Sequence, residues 1–242
     1  MRIDKWLSNT GFGSRKEVKQ LLKSGAVTLN GTVIKDPKTQ ANPDKDLVVV
    51  HGEEVIYKEF IYLMMNKPQG VISATEDSRH ETVIDLLELE DQGFEPFPVG
   101  RLDKDTEGLL ILTNDGQLAH SLLSPKKHVP KTYFAKINGS IPENTYEKFK
   151  EGIVLDDGYH TQPAKLEIVQ NSMDESEIYL TITEGKFHQV KRMFEAVDRK
   201  VTYLQRGQMG NLKLDETLPL GTYRELTDEE LSLLSERENV FE

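Results

Sequence analysis

The stretch GRLDKDTEGLLILTND, residues 100–115, constrains the fold of this chain more than any other. Five charged side chains, Arg101, Asp103, Lys104, Asp105 and Glu107, fall within seven residues, and the unbroken apolar run 109–112 follows at once. Such a run, closed by Asn114-Asp115-Gly116, reads as a buried strand. Any fold that accepts it must cover the strand and leave a charged loop mounted on its start.

The surrounding segments suit that requirement. Residues 60–67 read as a second buried strand, with a turn at Pro68-Gln69-Gly70. Residues 131–139, 164–170 and 177–185 alternate apolar and polar side chains as strands do. The spacing predicts short helices over 81–89, 117–124, 187–197 and 227–235, with further strands at 201–206 and 210–214. Many strands and few helices, mostly joined by short turns, predict an α+β domain with a mixed, mostly antiparallel sheet. This larger domain is expected to occupy residues 59–242.

Residues 1–58 read as a separate small module. Ile3, Trp6 and Leu7 mark a first helix. Ser14 and Glu17 form a capping-box pattern, Val18, Leu21 and Leu22 give the apolar stripe of a second helix, and Gly25 is placed to end it. Asn30-Gly31 between β-branched runs signals a tight hairpin.

Charge divides along the same line. The whole chain carries a net −11, but residues 1–58 carry +3 and the remainder −14. Arg15, Lys16, Lys19 and Lys23 lie on or near one face of the second helix, with Arg2 and Lys5 available from the first. Two readings stand: a solvated helix face, or a surface for the phosphates of a nucleic acid. The absence of cysteine excludes disulfides, thiol nucleophiles and Cys-ligated metals. No signal peptide or long apolar run is legible, so a cytoplasmic protein without membrane contact is expected.

Several chemistries compete for Asp103, Asp105 and Glu107. A calcium loop has acids at these spacings but needs a bidentate Glu at its twelfth position, where this chain has Asn114, and a helix after it. Glycoside hydrolysis uses paired carboxylates, yet nothing here favours a sugar polymer. A simple ionic loop would pair the acids with Arg101 and Lys104. A single nucleophilic or electrostatic carboxylate would need cations from elsewhere. The segment EGKFHQVKRM (184–193) supplies Lys186, His188, Lys191 and Arg192.

Taken together, MNKPQGVISAT (65–75), GRLDKDTEGLLILTNDG (100–116), VPKTYFAKI (129–137), EGKFHQVKRMFEAV (184–197) and PLGTYRELTDEEL (219–231) resemble, in order, the motifs of the RsuA-like RNA pseudouridine synthases. DKWLSNTGFGSRKEVKQLLKSGAVTLNG is similar to an S4 RNA-binding domain, of the α-L type. The resemblance implies conversion of uridine to pseudouridine in ribosomal RNA, without cofactor or metal. It puts Asp103 at the catalytic position, Tyr133 at that of an active-site tyrosine, and Lys191 at that of the basic partner, with Arg192 as rival. Arg101 would brace the space vacated by a flipped base. Arg2, Lys5, Ser14, Arg15, Lys16, Lys19 and Lys23 would contact RNA, and Asp105 and Glu107 would be scaffold, capping turns or pairing with Arg101. The expected partner is small-subunit rRNA or a subunit assembly intermediate, bound by a monomer. Large-subunit rRNA, or a non-catalytic role as an assembly factor, are the alternatives.

Overall fold

A computed structural model describes residues 1–235, so the last seven residues of the acidic C-terminal stretch lie outside the described residues. The chain divides into two compact units, residues 1–61 with 87–96, and residues 62–86 with 97 onward.

In the first unit, α1 (Ile3–Asn9) and α2 (Arg15–Ser24) precede the strands β1 (Val27–Leu29), β2 (Thr32–Val33), β3 (Val48–Val50) and β4 (Glu53–Glu54). The strands form a sheet in the order β2-β1-β3-β4. The capping box is present in full. The Ser14 hydroxyl accepts from the Glu17 amide, and Glu17 accepts from the Ser14 amide. Gly25 closes α2 in the left-handed conformation at φ 81°. Asn30 and Gly31 both have positive φ, as a two-residue hairpin loop requires. The apolar stripe of α2, Val18 and Leu22, packs with Ile3, Trp6, Leu7, Val27, Val48 and Val50 in one core.

The second unit begins with β5 (Tyr62–Lys67). The short α3 (Leu89–Gln92) falls in the segment grouped with the first unit. There follow β6 (Phe97–Pro98), β7 (Glu107–Thr113), α4 (Gly116–Leu123), β8 (Lys131–Asn138), α5 (Thr145–Glu151), β9 (Lys165–Gln170) and β10 (Glu175–Ile182). The chain then forms α6 (Gln189–Glu195), β11 (Val201–Met209), β12 (Leu212–Lys213), β13 (Tyr223–Glu225) and α7 (Asp228–Ser235).

One sheet runs β13-β5-β7-β11-β8-β10-β9, with β12 added to β11 and β6 to β7. Every pairing among these strands is antiparallel except β7 with β11. The apolar run of β7 is fully buried, as its composition requires. Leu109 and Ile111 meet Met64, Ala119, Leu122 and Leu234 in a core that includes α4 and α7. The helices α5 and α6 meet through Phe149 and Phe194, whose rings pack edge-on at 5.2 Å.

One local expectation fails, and one helix was not anticipated. Residues 81–89 do not form a helix. The Thr82 amide and hydroxyl both donate to the Asp85 carboxylate, which closes a single turn. The Val83 amide goes to the carbonyl of Ile72 instead of continuing a helix. Local side-chain bonds and a tertiary bond thus outcompete the apolar periodicity. The helix α5, whose sequence TYEKFKE shows a weak apolar stripe, was not legible.

The joint between β7 and β11 consists of two registered pairs, Glu107 with Gln205 and Gly108 with Arg206. Gly108 has φ +102°, and a β-carbon there would overlap the Arg206 carbonyl oxygen. Replacing Gly108 with Ala therefore combines backbone strain with a backbone clash. We expect G108A to lose about 3 kcal/mol or more in urea denaturation.

Candidate active site

The loop between β6 and β7 carries Asp103 and is fixed from behind by residues of β5 and the turn after it. The Ser73 hydroxyl donates to the Leu102 carbonyl and accepts from the Leu102 amide, both at 3.0 Å. The Gly70 amide donates to the carbonyl of Lys104 at 2.8 Å. Lys67, fully buried, donates its ammonium to the carbonyls of Pro68, Asp103 and Thr106 at 2.9, 3.0 and 3.0 Å. Burial pushes this ammonium down to about 8, against the opposing pull of Asp103, Asp105 and Glu107. Lys67 stands in MNKPQG, where the apolar strand pattern gave no sign that its charge points inward.

A cation from α6 approaches the loop on its other side. Lys191 donates to Asp103 Oδ2 at 3.1 Å and to Asp105 Oδ1 at 2.6 Å. Burial lowers the Lys191 ammonium, but its bonds to Asp105 and Asp103 outweigh this and raise it above the usual lysine value. Burial also raises the Asp105 carboxyl, and the Lys191 bond and charge overcome that effect to hold it below the usual carboxylate range. His188 Nε2 lies 3.6 Å from Asp103 Oδ1.

Arg192 does not reach Asp103. Its guanidinium is held by Asp156 and Asp157, which ties α6 to the turn before Tyr159. Neighbours on a helix point about 100° apart, so only one of Lys191 and Arg192 can face the loop. Arg101 makes no ion pair among the described residues and is exposed at the cleft. The expected pairing of Asp105 and Glu107 with Arg101 is therefore corrected. Asp105 bonds Lys191, and Glu107 accepts from the Tyr203 hydroxyl at 2.7 Å.

An open cleft brings Asp103 together with Arg101, Thr106, Tyr133, His188 and Leu204. Tyr133 sits on β8 opposite Arg206 and Leu180, with its ring largely buried. The cleft thus sets one carboxylate among an aromatic ring, apolar side chains and cations. Among the described residues no cluster of three His, Asp or Glu is arranged to hold a metal ion.

In the first unit, Arg15, Lys16, Lys19 and Lys23 are exposed on α2, and Lys5 is exposed on α1. Two members of the expected RNA-binding set are engaged internally. The guanidinium of Arg2 donates to both oxygens of the buried Asp4, and Ser14 is committed to the capping box.

Lys67 yields a test with two opposed readouts. Its folded value of about 8 lies below the ordinary 10.5. The native chain thus releases this proton before the unfolded chain does. From this group alone, stability rises between about pH 8 and 10.5. Over the same interval the neutral amine has too few N–H groups for three carbonyls, and turnover is expected to fall as pH rises through about 8. Urea denaturation and initial rates measured side by side from pH 7 to 10 check the divergence. K67M strands three carbonyls, that of Thr106 buried and those of Pro68 and Asp103 partly buried, and is expected to cost about 3 kcal/mol.

Residues 61–196 match the RNA pseudouridylate synthase family, and residues 1–47 match the S4 domain. The chain is 59% identical over 236 residues to an uncharacterized RNA pseudouridine synthase of Bacillus subtilis, covering 98% of this chain and 99% of that one. It is 42% identical over 236 residues to ribosomal small subunit pseudouridine synthase A of Vibrio cholerae, covering 96% and 98%. A crystal structure of a pseudouridylate synthase superposes with a TM-score of 0.68 at 36% identity, covering 97% of this chain and 99% of that one. No helix among the described residues is long and apolar enough to cross a membrane. With an S4 domain ahead of a catalytic domain of matching sequence and fold, the chain belongs to the RNA pseudouridylate synthase family.

Proposed function

We propose that this enzyme isomerises a uridine of small-subunit ribosomal RNA, with Asp103 as the group that attacks or stabilises the ribose C1′. The observation that carries the reading is the Asp103 carboxylate, on a loop held by Lys67 and lining one cleft with Tyr133. The small-subunit assignment draws on the relative from Vibrio cholerae, whose name specifies that substrate. A ribosomal RNA substrate supports a cytoplasmic location, and nothing in the proposed chemistry calls for a cofactor or a second subunit.

In this reading the uridine leaves its stack and enters the cleft, at a cost of a few kcal/mol. The bond from C1′ to N1 breaks. The freed uracil rotates, and C5 forms the new bond to C1′. The hydrogen of C5 departs as a proton, and N1 gains one, so the product is an isomer. Asp103 compensates the positive charge that develops on the ribose. Lys191 orients its carboxylate through Oδ2, leaving Oδ1 toward His188 and the cleft. The Tyr133 ring packs on the uracil, and Arg101 braces the vacated site in the RNA.

The basic face of α2 supplies RNA affinity, while the acidic remainder of the chain limits non-specific binding. Arg15, Lys16 and Lys19 carry this role more directly than Arg2 and Ser14, which have partners within the unit.

Tritium release from 5-labelled uridine in separate small- and large-subunit rRNA transcripts tests the reading. Wild type is expected to release tritium from the small-subunit RNA. D103N should release none, and K191A should be slower by about a hundredfold. Release from the large-subunit RNA alone would move the substrate, and none from either would favour the assembly-factor role. Ala at Arg15, Lys16 and Lys19 together should lower the slope of log affinity against log salt by about two. An unchanged slope would remove α2 from the interface.

A further inference from the structure

We propose that Phe187 is a stacking platform at the rim of the Asp103 cleft, for the RNA base next to the target uridine. The proposal rests on the function above and adds to it a base-binding subsite.

Phe187 is 75% exposed, although it directly precedes a helix whose Val190, Met193 and Phe194 are buried. A lone exposed aromatic would need no explanation. This ring is not alone. It lies on the His188 imidazole with centroids 3.8 Å apart and planes 18° from parallel. One face of Phe187 is thus covered by a flat ring, and the rest of it meets water. His188 in turn lies 3.6 Å from Asp103, so the stack begins at the carboxylate and ends at the surface.

The turn that presents the ring is braced on several sides. His188 adopts the left-handed conformation at φ 50°, a region that His enters more readily than most side chains. The Lys186 amide donates to Gln189 Oε1, and Gln189 Nε2 donates to Glu184, each at 2.8 Å. Arg192, anchored on Asp156 and Asp157, also donates to the Phe187 carbonyl at 3.4 Å. Residues 186–189 therefore have an arrangement that holds the ring outward.

Extrusion of a uridine removes one stacking partner from each adjacent base. A planar apolar ring one step from the cleft supplies a replacement. Arg101 and Lys186, exposed cations lining the same cleft, suit the phosphates on either side of that base, with Lys186 held over the Tyr159 ring at 4.5 Å. Every base has a π-face, so the subsite should accept any base with modest preference. Sequence selection would then fall to other contacts.

The test uses the full chain and 5-tritiated small- and large-subunit rRNA transcripts, with affinity for the same RNAs measured by filter retention. F187A is expected to weaken binding by about tenfold and to raise KM more than it lowers kcat. F187W should restore both values, whereas F187L, apolar but not planar, should behave like F187A. Restoration by Leu equal to that by Trp would overturn stacking in favour of simple packing. Binding by F187A as tight as wild type would overturn the subsite, whether or not tritium is released. Absence of tritium release from wild type on both RNAs would instead overturn the function beneath it.

Discussion

The close approach of β7 to β11 at Gly108 is the constraint on which the catalytic unit depends. Only two residue pairs join these strands, and they are the parallel step in a sheet that is otherwise antiparallel. The approach requires a residue without a side chain, because the Arg206 backbone occupies the space a β-carbon would fill. The Arg206 side chain then donates to the Leu109 carbonyl, one residue further along β7. Tyr203 bonds Glu107 on the preceding residue. The other end of the same β7 edge is taken by β6. The chain arriving from β6 must therefore turn over this joint before it enters β7, and that turn carries Asp103.

Electrostatics divides the work among the neighbouring charges. Asp103 and Asp105 share one ammonium, Lys191, which offsets their mutual repulsion. A second ammonium, Lys67, lies beneath the loop and bonds only carbonyls, so it fixes backbone without neutralising a particular carboxylate. Arg192 shows why Lys and Arg are not exchangeable here. Its planar fork suits the paired acids Asp156 and Asp157, while the compact Lys191 ammonium fits between two loop carboxylates. The three carboxylates of residues 101–107 thus have distinct partners, Lys191 for Asp103 and Asp105 and Tyr203 for Glu107.

The sequence made the local pieces legible because each has a short-range cause. Ser14 with Glu17, Gly25, and Asn30-Gly31 fix a cap, a helix end and a hairpin from bonds and torsions within a few residues. The run 109–112 announced a buried strand by composition alone. Where a distant group intervened, local pattern misled. Residues 81–89 look helical, but Val83 finds the Ile72 carbonyl, and Thr82 closes on Asp85. The order of the motifs pointed to Asp103, Tyr133 and Lys191, yet left Lys191 and Arg192 unseparated.

By itself, then, the sequence determined the two-part organisation of charge, the buried strand, the caps and the group of residues from which the site is drawn. Only tertiary structure decided their partners. The choice of Lys191 over Arg192 depends on which side of α6 faces the loop. The role of Lys67 depends on three carbonyls, two of them from residues 103 and 106. The tilt of Phe187 onto His188 depends on a turn braced through Gln189 and Arg192. Periodicity records which face of an element is apolar. It does not record which charged groups, distant in sequence, the fold will set three ångströms apart.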